Sequence, residues 1–369
     1  MGLSAQAYIS PVLPLPKWQA AVSAARNAVR PAKLVFFGDS NIVGEGTGTG
    51  SLALINARPN SMPQIATAKI NSKISKATSD SFFGDQNVAQ AAALTVAQYD
   101  TRLVLGTGWQ SDASPSSVGG AFLVAPVAST TDLVFSPPDA FDRFTVFYPV
   151  TPTASTALTA KVDAVSVGTI NQALANGYTS TTYSVALGTH TIGFANTVAL
   201  KAYIGGLYCW NSAAPGIVTM QCSSCGGAAS FFSGAINPWD NLPALGSLAP
   251  DLTIVYCTIN DSVAGTAVAT YQAQMDAIVA KAVATGDALI VGAFPANTAG
   301  TTNGLLDSYM GALNSIGAKY AVRVMDLRTT MGANWTIANS RGYVFDNNHP
   351  NTGGHAMIGG IIADAIYVP

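Results

Sequence analysis

The periodicity of the apolar residues changes twice along the chain, and this pattern constrains the fold more than any other feature. Between about residues 99 and 212, apolar residues occupy every second position, as in Leu158, Ala160 and Val162, and turn residues separate these runs. Many short strands of this kind, without helical periodicity, predict an all-β sandwich or jelly roll. We therefore expect residues 99–212 to form a β module.

The regions before and after this module have short continuous apolar runs that alternate with stretches of helical periodicity. The runs that we expect to be buried strands are Leu34–Phe37, Gly216–Gln221, Leu252–Cys257, Ala288–Phe294 and Ala321–Leu327. One expected helix has an apolar face that consists of Tyr271, Met275, Ile278, Val279 and Ala282. The closing helix is expected over Thr352–Ile366, with Thr352 as its N-cap.

Strands that alternate with helices predict βαβ units and a parallel sheet covered on both faces. The fold class that we predict is therefore α/β. A flavodoxin-like, three-layer α/β/α domain is expected from residues 1–98 and 213–369. The β module of residues 99–212, a β-sandwich or jelly roll, is inserted between the first and second strands of that domain.

The composition fits a compact protein and argues against two classes of partner. Hydrophobic residues make up 49% of the 369 residues and charged residues only 10%, so a disordered chain is not expected. The net charge of −2, without a basic patch, gives no electrostatic case for nucleic acid. No apolar run approaches the length of a membrane span, so no membrane partner is expected. The oligomeric state is left open.

The residues that could take part in catalysis follow the carboxyl ends of the expected strands. In an open α/β sheet, these ends form the active site. Gly38-Asp39-Ser40 follows the first strand, Gly226-Gly227 follows the second, and Asn260 follows the third. The last strand leads into a loop with Asp346 and His349.

These residue types suit acyl transfer. A serine hydroxyl needs a base, and His349 can remove the proton of Ser40. An imidazole needs an acceptor that fixes its tautomer, and Asp346 lies three residues before His349. The developing oxyanion needs donors, for which the candidates are the amides of Ser40 and Gly227 and the side chain of Asn260.

The four blocks together resemble the SGNH (GDSL) hydrolase family. The first block matches as Gly38-Asp39-Ser40, the second-block glycine falls on Gly227 with Gly226 as the alternative, and the last block is Asp346 to His349. The third block, usually Gly-x-Asn-Asp, has Thr258 in place of the glycine and keeps Asn260. The resemblance implies a Ser40–His349–Asp346 triad and an oxyanion hole formed by Ser40, Gly227 and Asn260.

The β module carries a second resemblance. Segments such as Phe141–Tyr148 and Leu187–Thr191 are similar to jelly-roll modules of SGNH esterases that act on polysaccharides. The layout, with Ser81–Asn87 as an expected loop, is also similar to esterases of phage tails. This implies an extracellular or virion-associated protein rather than a cytoplasmic one. The first thirty residues do not resemble a secretion signal, so the protein is expected to stay inside, to leave by lysis or to have lost its signal.

The remaining polar candidates are interpreted as structural. The alternating apolar residues on both sides of Gly188-Thr189 predict a hairpin that contains His190. His190 and His355 are expected to be structural or packing residues, and Glu45 a solvated carboxylate of the loop that follows the nucleophile. Asp39 and Asp261 are expected to brace loops through hydrogen bonds to the backbone. The C-x-x-C pair falls short of a zinc site, and the redox states of all four cysteines stay open: Cys209, Cys222, Cys225 and Cys257.

The function that we predict is a serine esterase that hydrolyses ester bonds, most of all O-acetyl groups on a polysaccharide, without a metal or cofactor. One alternative is a lipase or thioesterase that uses the same residues on acyl chains. Another alternative is a non-catalytic carbohydrate-binding or virion structural protein. The identity of the acyl group and of the polymer is open at this stage.

Overall fold

A computed structural model describes residues 14–74, 80–83, 95–112, 117–292, 294–297 and 303–367 of the chain. Its strands are β1 Ala32–Gly38, β2 Asp80–Phe83, β3 Leu103–Val104, β4 Gln110–Asp112, β5 Phe122–Ala125, β6 Leu133–Phe135, β7 Phe141–Val150, β8 Leu158–Val162, β9 Val165–Ile170, β10 Gly177–Gly188, β11 Ile192–Asn196, β12 Ala202–Ile204, β13 Gly206–Trp210, β14 Ile217–Ser223, β15 Leu252–Tyr256, β16 Asp287–Gly292 and β17 Arg323–Asp326.

The α-helices lie mostly in the second half of the chain. They are α1 Pro16–Arg26, α2 Ser40–Val43, α3 Met62–Ile74, α4 Val96–Tyr99, α5 Ala229–Phe232, α6 Asn241–Leu248, α7 Ile259–Ala264, α8 Val268–Thr285, α9 Asn303–Tyr320, α10 Arg328–Met331, α11 Trp335–Ser340 and α12 Thr352–Ile366. A short 3₁₀ helix spans Arg58–Asn60.

A five-stranded parallel sheet forms the centre of the α/β part. Its strand order is β14-β1-β15-β16-β17, which is the order 2-1-3-4-5 when only these five strands are counted. One face packs on α8 and α9, and the other packs on α1, α3 and α12. The predicted flavodoxin-like three-layer arrangement is confirmed.

The helix over Val268–Thr285 buries the five residues predicted for its apolar face, from Tyr271 to Ala282. The closing helix spans Thr352–Ile366 as predicted, but the prediction of Thr352 as its N-cap is wrong. Asn351 has the extended backbone of an N-cap, and its side chain accepts a hydrogen bond from the amide of Gly354 at 3.0 Å.

Antiparallel sheets form the rest of the described structure, which we call the antiparallel part (β2 to β13). Their strand orders are β10-β7-β13-β2, β3-β6-β11-β8-β9 and β12-β5-β4. A common apolar core joins the sheets and includes Phe144 of β7, Phe194 of β11 and Ile204 of β12. These sheets agree with an inserted all-β module; the boundaries at residues 99 and 212 stay a prediction.

Two local predictions are wrong. Ser81–Asn87 was expected to be a loop, but Asp80–Phe83 is a strand that pairs with β13; residues 84–87 lie outside the described ranges. The strand forms because Phe82 packs into the core of the antiparallel part while Phe83 packs into the core beside the parallel sheet. The second wrong prediction is the hairpin around Gly188. The strands on its two sides do not pair with each other, because β10 pairs with β7 while β11 pairs with β6 and β8.

Candidate active site

The register of the parallel sheet brings three of the predicted blocks to one edge. Gly38, the last residue of β1, lies opposite Ser223 of β14 and Tyr256 of β15. Ser40 therefore begins α2 beside the two loops that follow β14 and β15. These loops carry Gly227 and Asn260, respectively.

Ser40, His349 and Asp346 form a continuous hydrogen-bonded chain. The Oγ of Ser40 lies 2.8 Å from the Nε2 of His349, and the Nδ1 of His349 lies 3.0 Å from each carboxylate oxygen of Asp346. Because Asp346 is an acceptor, Nδ1 carries the proton in the neutral imidazole, and Nε2 is then free to accept the hydroxyl proton of Ser40. The Ser40 side chain is buried, whereas Asp346 is partly exposed.

The loop that holds Asp346 and His349 is tied down at several points. The amides of Asn348 and His349 donate to Oδ1 of Asp346 at 2.7 and 2.8 Å, so the carboxylate is oriented by its own turn. The indole of Trp335 donates to the carbonyl of Asp346 at 3.0 Å. Sequence reasoning left Trp335 without a role, because its contact is with the backbone of a loop eleven residues further on.

The charges around the imidazole shift two pKa values in opposite directions. Burial by itself lowers the pKa of His349, but the hydrogen bond to Asp346 and the charges of Glu45, Asp346 and Asp39 together raise it above its ordinary value. Burial by itself raises the pKa of Asp346, and the bonds to His349 and to the backbone amides bring it below its ordinary value. The arrangement therefore favours a charged imidazolium–carboxylate pair.

The other two predicted site residues are in direct contact. The side-chain amide of Asn260 donates to the carbonyl of Gly227 at 3.0 Å. The amide of Gly227 itself donates to the carbonyl of Ser224 at 3.2 Å, within a turn. Asp261 accepts a hydrogen bond from the amide of Ala229 at 2.7 Å, which is the bracing role expected for it.

Gly227 and Gly226 differ in how closely they pack, and the backbone at Thr258 does not require glycine. A Cβ on Gly227 would lie 2.6 Å from the ring of Phe232. A Cβ on exposed Gly226 would meet nothing within 4 Å, although the φ of +71° at Gly226 also suits glycine. Close packing and the contact with Asn260 favour Gly227 as the block glycine. Thr258 has a negative φ of −136°, which a residue with a side chain can adopt, and its hydroxyl lies 3.1 Å from that of Tyr271.

Asp39 precedes the nucleophile and braces it as expected. Its Oδ1 accepts a hydrogen bond from the amide of Asn41 at 3.0 Å and caps α2. Its side chain is fully buried, and Oδ2 has no hydrogen-bond partner among the described residues. Burial raises the pKa of Asp39 to about 7, against the opposing effect of the Asn41 amide.

The expectation that Glu45 is solvated is wrong. Only 5% of its surface is exposed, and its Oε2 lies 3.4 Å from the Nε2 of His349. Burial raises the pKa of Glu45 above its ordinary value, and the charge of His349 opposes that shift. The sequence signal was weak, because Glu45 follows the nucleophile in a glycine-rich loop of the kind that is usually exposed.

The two remaining histidines lie outside the triad, as expected. His355 is buried in α12, where its Nε2 donates to the carbonyl of Glu45 at 3.1 Å and its Nδ1 accepts from the amide of Met62 at 3.3 Å. Burial lowers the pKa of His355 to about 3, so this ring is neutral. His190 lies in the antiparallel part, and its Nδ1 pairs with Asp163 at 2.6 Å.

Among the described residues, one group of side chains could hold a metal ion. Glu45, Asp346 and His349 offer three ligand atoms within 4.8 Å of one another. The ring nitrogens of His349 are already bonded to Ser40 and Asp346, so a cation there would break the triad contacts, and we assign no metal. The four cysteines are buried, and none of them forms a disulfide in the structure. No helix in the described ranges is long and apolar enough to cross a membrane.

Comparison with known proteins gives one family and one extensive structural match. The model of the GDSL-like lipase/acylhydrolase family matches residues 180–357, a range that includes Gly227, Asn260, Asp346 and His349 and begins after Ser40. A solved structure described as a peptidoglycan O-acetylesterase in action is 14% identical, with a TM-score of 0.70 and 97% of each chain covered. At this identity the likeness shows a shared fold.

Two further solved structures are less similar. The Bacillus subtilis protein YXIM is 12% identical, covers 78% of this chain and 98% of its own, and has a TM-score of 0.37. TesA is 16% identical, covers 40% of this chain and 77% of its own, and has a TM-score of 0.34. No curated protein matches the chain.

The match to the GDSL-like lipase/acylhydrolase family therefore covers residues 180–357, and the fold of almost the whole chain is shared with the structure described as a peptidoglycan O-acetylesterase.

Proposed function

We propose that this protein is a serine esterase that works through a covalent acyl-enzyme, with Ser40 as nucleophile, His349 as general base and acid, and Asp346 as the residue that orients the imidazole. The observation that carries the proposal is the 2.8 Å separation between the Oγ of Ser40 and the Nε2 of His349, with Asp346 on the other ring nitrogen. A nucleophile, a base and an orienting acceptor in hydrogen-bond reach are the requirements for this chemistry.

In the acylation half-reaction, the Oγ of Ser40 attacks the ester carbonyl carbon while its proton moves to Nε2 of His349. The tetrahedral intermediate then collapses. The bond to the alcohol oxygen breaks, the departing alcohol takes the proton from Nε2, and the acyl group stays on Ser40.

In the deacylation half-reaction, water attacks the acyl carbon and gives its proton to Nε2 of His349. The bond to Ser40 breaks, Ser40 regains the proton, and the carboxylic acid leaves. The oxyanion of both intermediates is proposed to be held by the amide of Ser40, by Asn260 and by the amide of Gly227. To reach the oxyanion, the amide of Gly227 has to leave its 3.2 Å hydrogen bond to the carbonyl of Ser224.

The substrate that we propose is an O-acetylated polysaccharide. Support comes from the fold, which is shared over 97% of the chain with a protein described as a peptidoglycan O-acetylesterase. The shared length extends through the antiparallel part, which would hold the polymer or shape its access to Ser40. We propose an extracellular or virion-associated location, where the protein would meet such a polymer.

The test is ester hydrolysis by the purified protein. We expect acetate release from 4-nitrophenyl acetate and from at least one of acetylated xylan, peptidoglycan, alginate or capsule. Ser40→Ala should abolish it. Ser51→Ala is the matched control, because this exposed serine lies in the same loop and its loss should leave the rate unchanged. Equal rates in Ser40→Ala and the unaltered protein would overturn the proposal.

A series of acyl-chain lengths separates the proposed esterase from the lipase or thioesterase alternative. Rates that fall steadily from acetate to octanoate support the acetyl specificity. Rates that rise with chain length would overturn that specificity and keep the triad.

A further inference from the structure

Glu45 is the only glutamate in the 369-residue sequence, and it lies against the base of the proposed triad. Its carboxyl is buried, and Oε2 is 3.4 Å from the Nε2 of His349. A carboxylate taken out of water is costly unless it has a partner. Among the described contacts, the partner of the Glu45 carboxyl is this one ring nitrogen.

The backbone holds Glu45 in this place. The residue lies between Gly44 and Gly46, whose φ values of +105° and +94° suit glycine, and a Cβ on Gly46 would lie 2.3 Å from the carbonyl oxygen of Pro350. The amide of Glu45 donates to the carbonyl of Ser40 at 3.2 Å, and its carbonyl accepts from His355. The loop is therefore anchored at the nucleophile and at α12, so the contact with His349 is built into the fold.

Two groups thus meet the same ring nitrogen. When Nε2 has no proton, it accepts the hydroxyl of Ser40, and the carboxylate of Glu45 gains nothing from it. When Nε2 is protonated, the hydrogen needs an acceptor, and a carboxylate is a stronger acceptor than a hydroxyl. We propose that Glu45 is a positioning residue that accepts the Nε2–H of the His349 imidazolium and competes with Ser40 for it. The inference rests on the proposed function, since the nitrogen concerned is that of the proposed base.

The charges around His349 give the sign of the effect. Asp346 in its own loop, Asp39 at the end of β1 and Glu45 after α2 all raise the pKa of His349, and His355 of α12 is neutral. The base works only when His349 is unprotonated. In a plot of kcat/KM against pH, the acid limb is the rise that occurs as His349 loses its proton. Each of these anions therefore moves the acid limb to higher pH, and removing one moves it to lower pH.

The first experiment is a pH profile of kcat/KM for 4-nitrophenyl acetate. Glu45→Gln keeps the shape of the side chain and removes its charge. We expect its acid limb to lie about one pH unit lower than that of the unaltered protein. Glu45→Asp, which keeps the charge further from Nε2, should fall between them. Asp364→Asn is the matched control, because it makes the same change of carboxylate to amide at an exposed site and should not move the limb.

The second experiment does not depend on activity. The chain has three histidines, so selective ¹³C labelling gives three imidazole titrations, of which His355 should stay neutral and His190 should be unchanged by Glu45→Gln. Labelling glutamate at Cδ gives one signal, because Glu45 is the only glutamate. We expect the pKa of His349 to fall in Glu45→Gln and the Glu45 signal to shift at the pH where His349 titrates.

An acid limb and a His349 pKa that both stay in place in Glu45→Gln would overturn the inference. Absence of hydrolysis in the unaltered protein, with the His349 pKa still lowered by Glu45→Gln, would overturn the proposed function and leave the Glu45 contact established. The two failures are therefore distinguishable.

Discussion

At the scale of single residues, the site is an imidazole between two carboxylates of different kinds. Asp346 is partly exposed and accepts from Nδ1 and from two backbone amides, so it is well satisfied as an anion. Glu45 is buried, with His349 as its described partner. We propose that the first arrangement orients His349 as the base and that the second affects the pH at which His349 is free to act.

Asp346→Asn is expected to lower kcat by about 10⁴-fold, because an amide at this position no longer fixes the tautomer in which Nε2 accepts a proton. KM should change little, since Asp346 has no proposed contact with the ester. Steady-state kinetics at a pH above the acid limb measure both values. A fall of less than tenfold would contradict the role given to Asp346.

Asn260→Ala is expected to lower kcat by about 10²–10³-fold through the loss of one oxyanion donor. The side chain also holds the carbonyl of Gly227, so a change in the position of that loop has to be separated from the loss of the donor. The melting temperature serves for this purpose. The prediction fails if the rate falls only in proportion to a loss of folded protein.

At the scale of the elements, the register of β1 with β14 and β15 assembles the site from distant parts of the sequence. The carboxyl end of a parallel strand is followed by a loop at the same edge of the sheet as its neighbours. For this reason, four short sequence blocks that are each weak evidence alone can together predict one site. It also places the buried Asp39 at the junction between β1 and α2.

Asp39→Asn is expected to change how stability depends on pH. The pKa of Asp39 is raised to about 7 in the folded protein, so ionisation is penalised there, and stability is lost as the pH rises from about 4 through 7. Asparagine keeps the capping oxygen and removes the charge. Urea unfolding between pH 4 and 8 should therefore show a stability advantage of the variant that grows with pH. If the free energy of unfolding changes with pH in the same way for both proteins, the raised pKa of Asp39 is contradicted.

Prediction from the sequence succeeded where a local pattern decides the structure. The parallel strands and the buried face from Tyr271 to Ala282 follow from apolar periodicity alone. It failed at β2 and at the expected hairpin around Gly188, because partners distant in sequence decide which strands pair. Glu45 was misjudged for the same reason, since its burial depends on His349, which lies about 300 residues away in the sequence.

At the scale of the whole molecule, one chain combines a five-stranded parallel sheet that carries the candidate site with an antiparallel part that has more strands. The strand β2 links them, because Phe83 packs into one core and Phe82 into the other. A shared fold over 97% of both chains shows that this combination also occurs in a protein described as a peptidoglycan O-acetylesterase. We propose a polymeric substrate because a long chain could contact both the parallel sheet's edge and the antiparallel part.

The cysteines give a prediction for the whole fold. All four are buried and none forms a disulfide in the structure, and burial raises the pKa values of Cys222 and Cys257, which lowers the reactivity of these two thiols further. We expect a thiol reagent such as DTNB to label none of them in the native protein and all four in denaturant without a reductant. Fewer than four in denaturant would indicate a disulfide.

In the proposed mechanism, His349 activates Ser40 for attack on an acyl carbon. Labelling with an activated phosphonate ester tests it most directly, because the reagent forms a bond to a nucleophilic serine and loses its leaving group. Mass spectrometry should find one adduct per chain, on the peptide that contains Ser40, formed more slowly in Asp346→Asn and absent in Ser40→Ala. An unlabelled protein, or an adduct that persists in Ser40→Ala, would contradict the account.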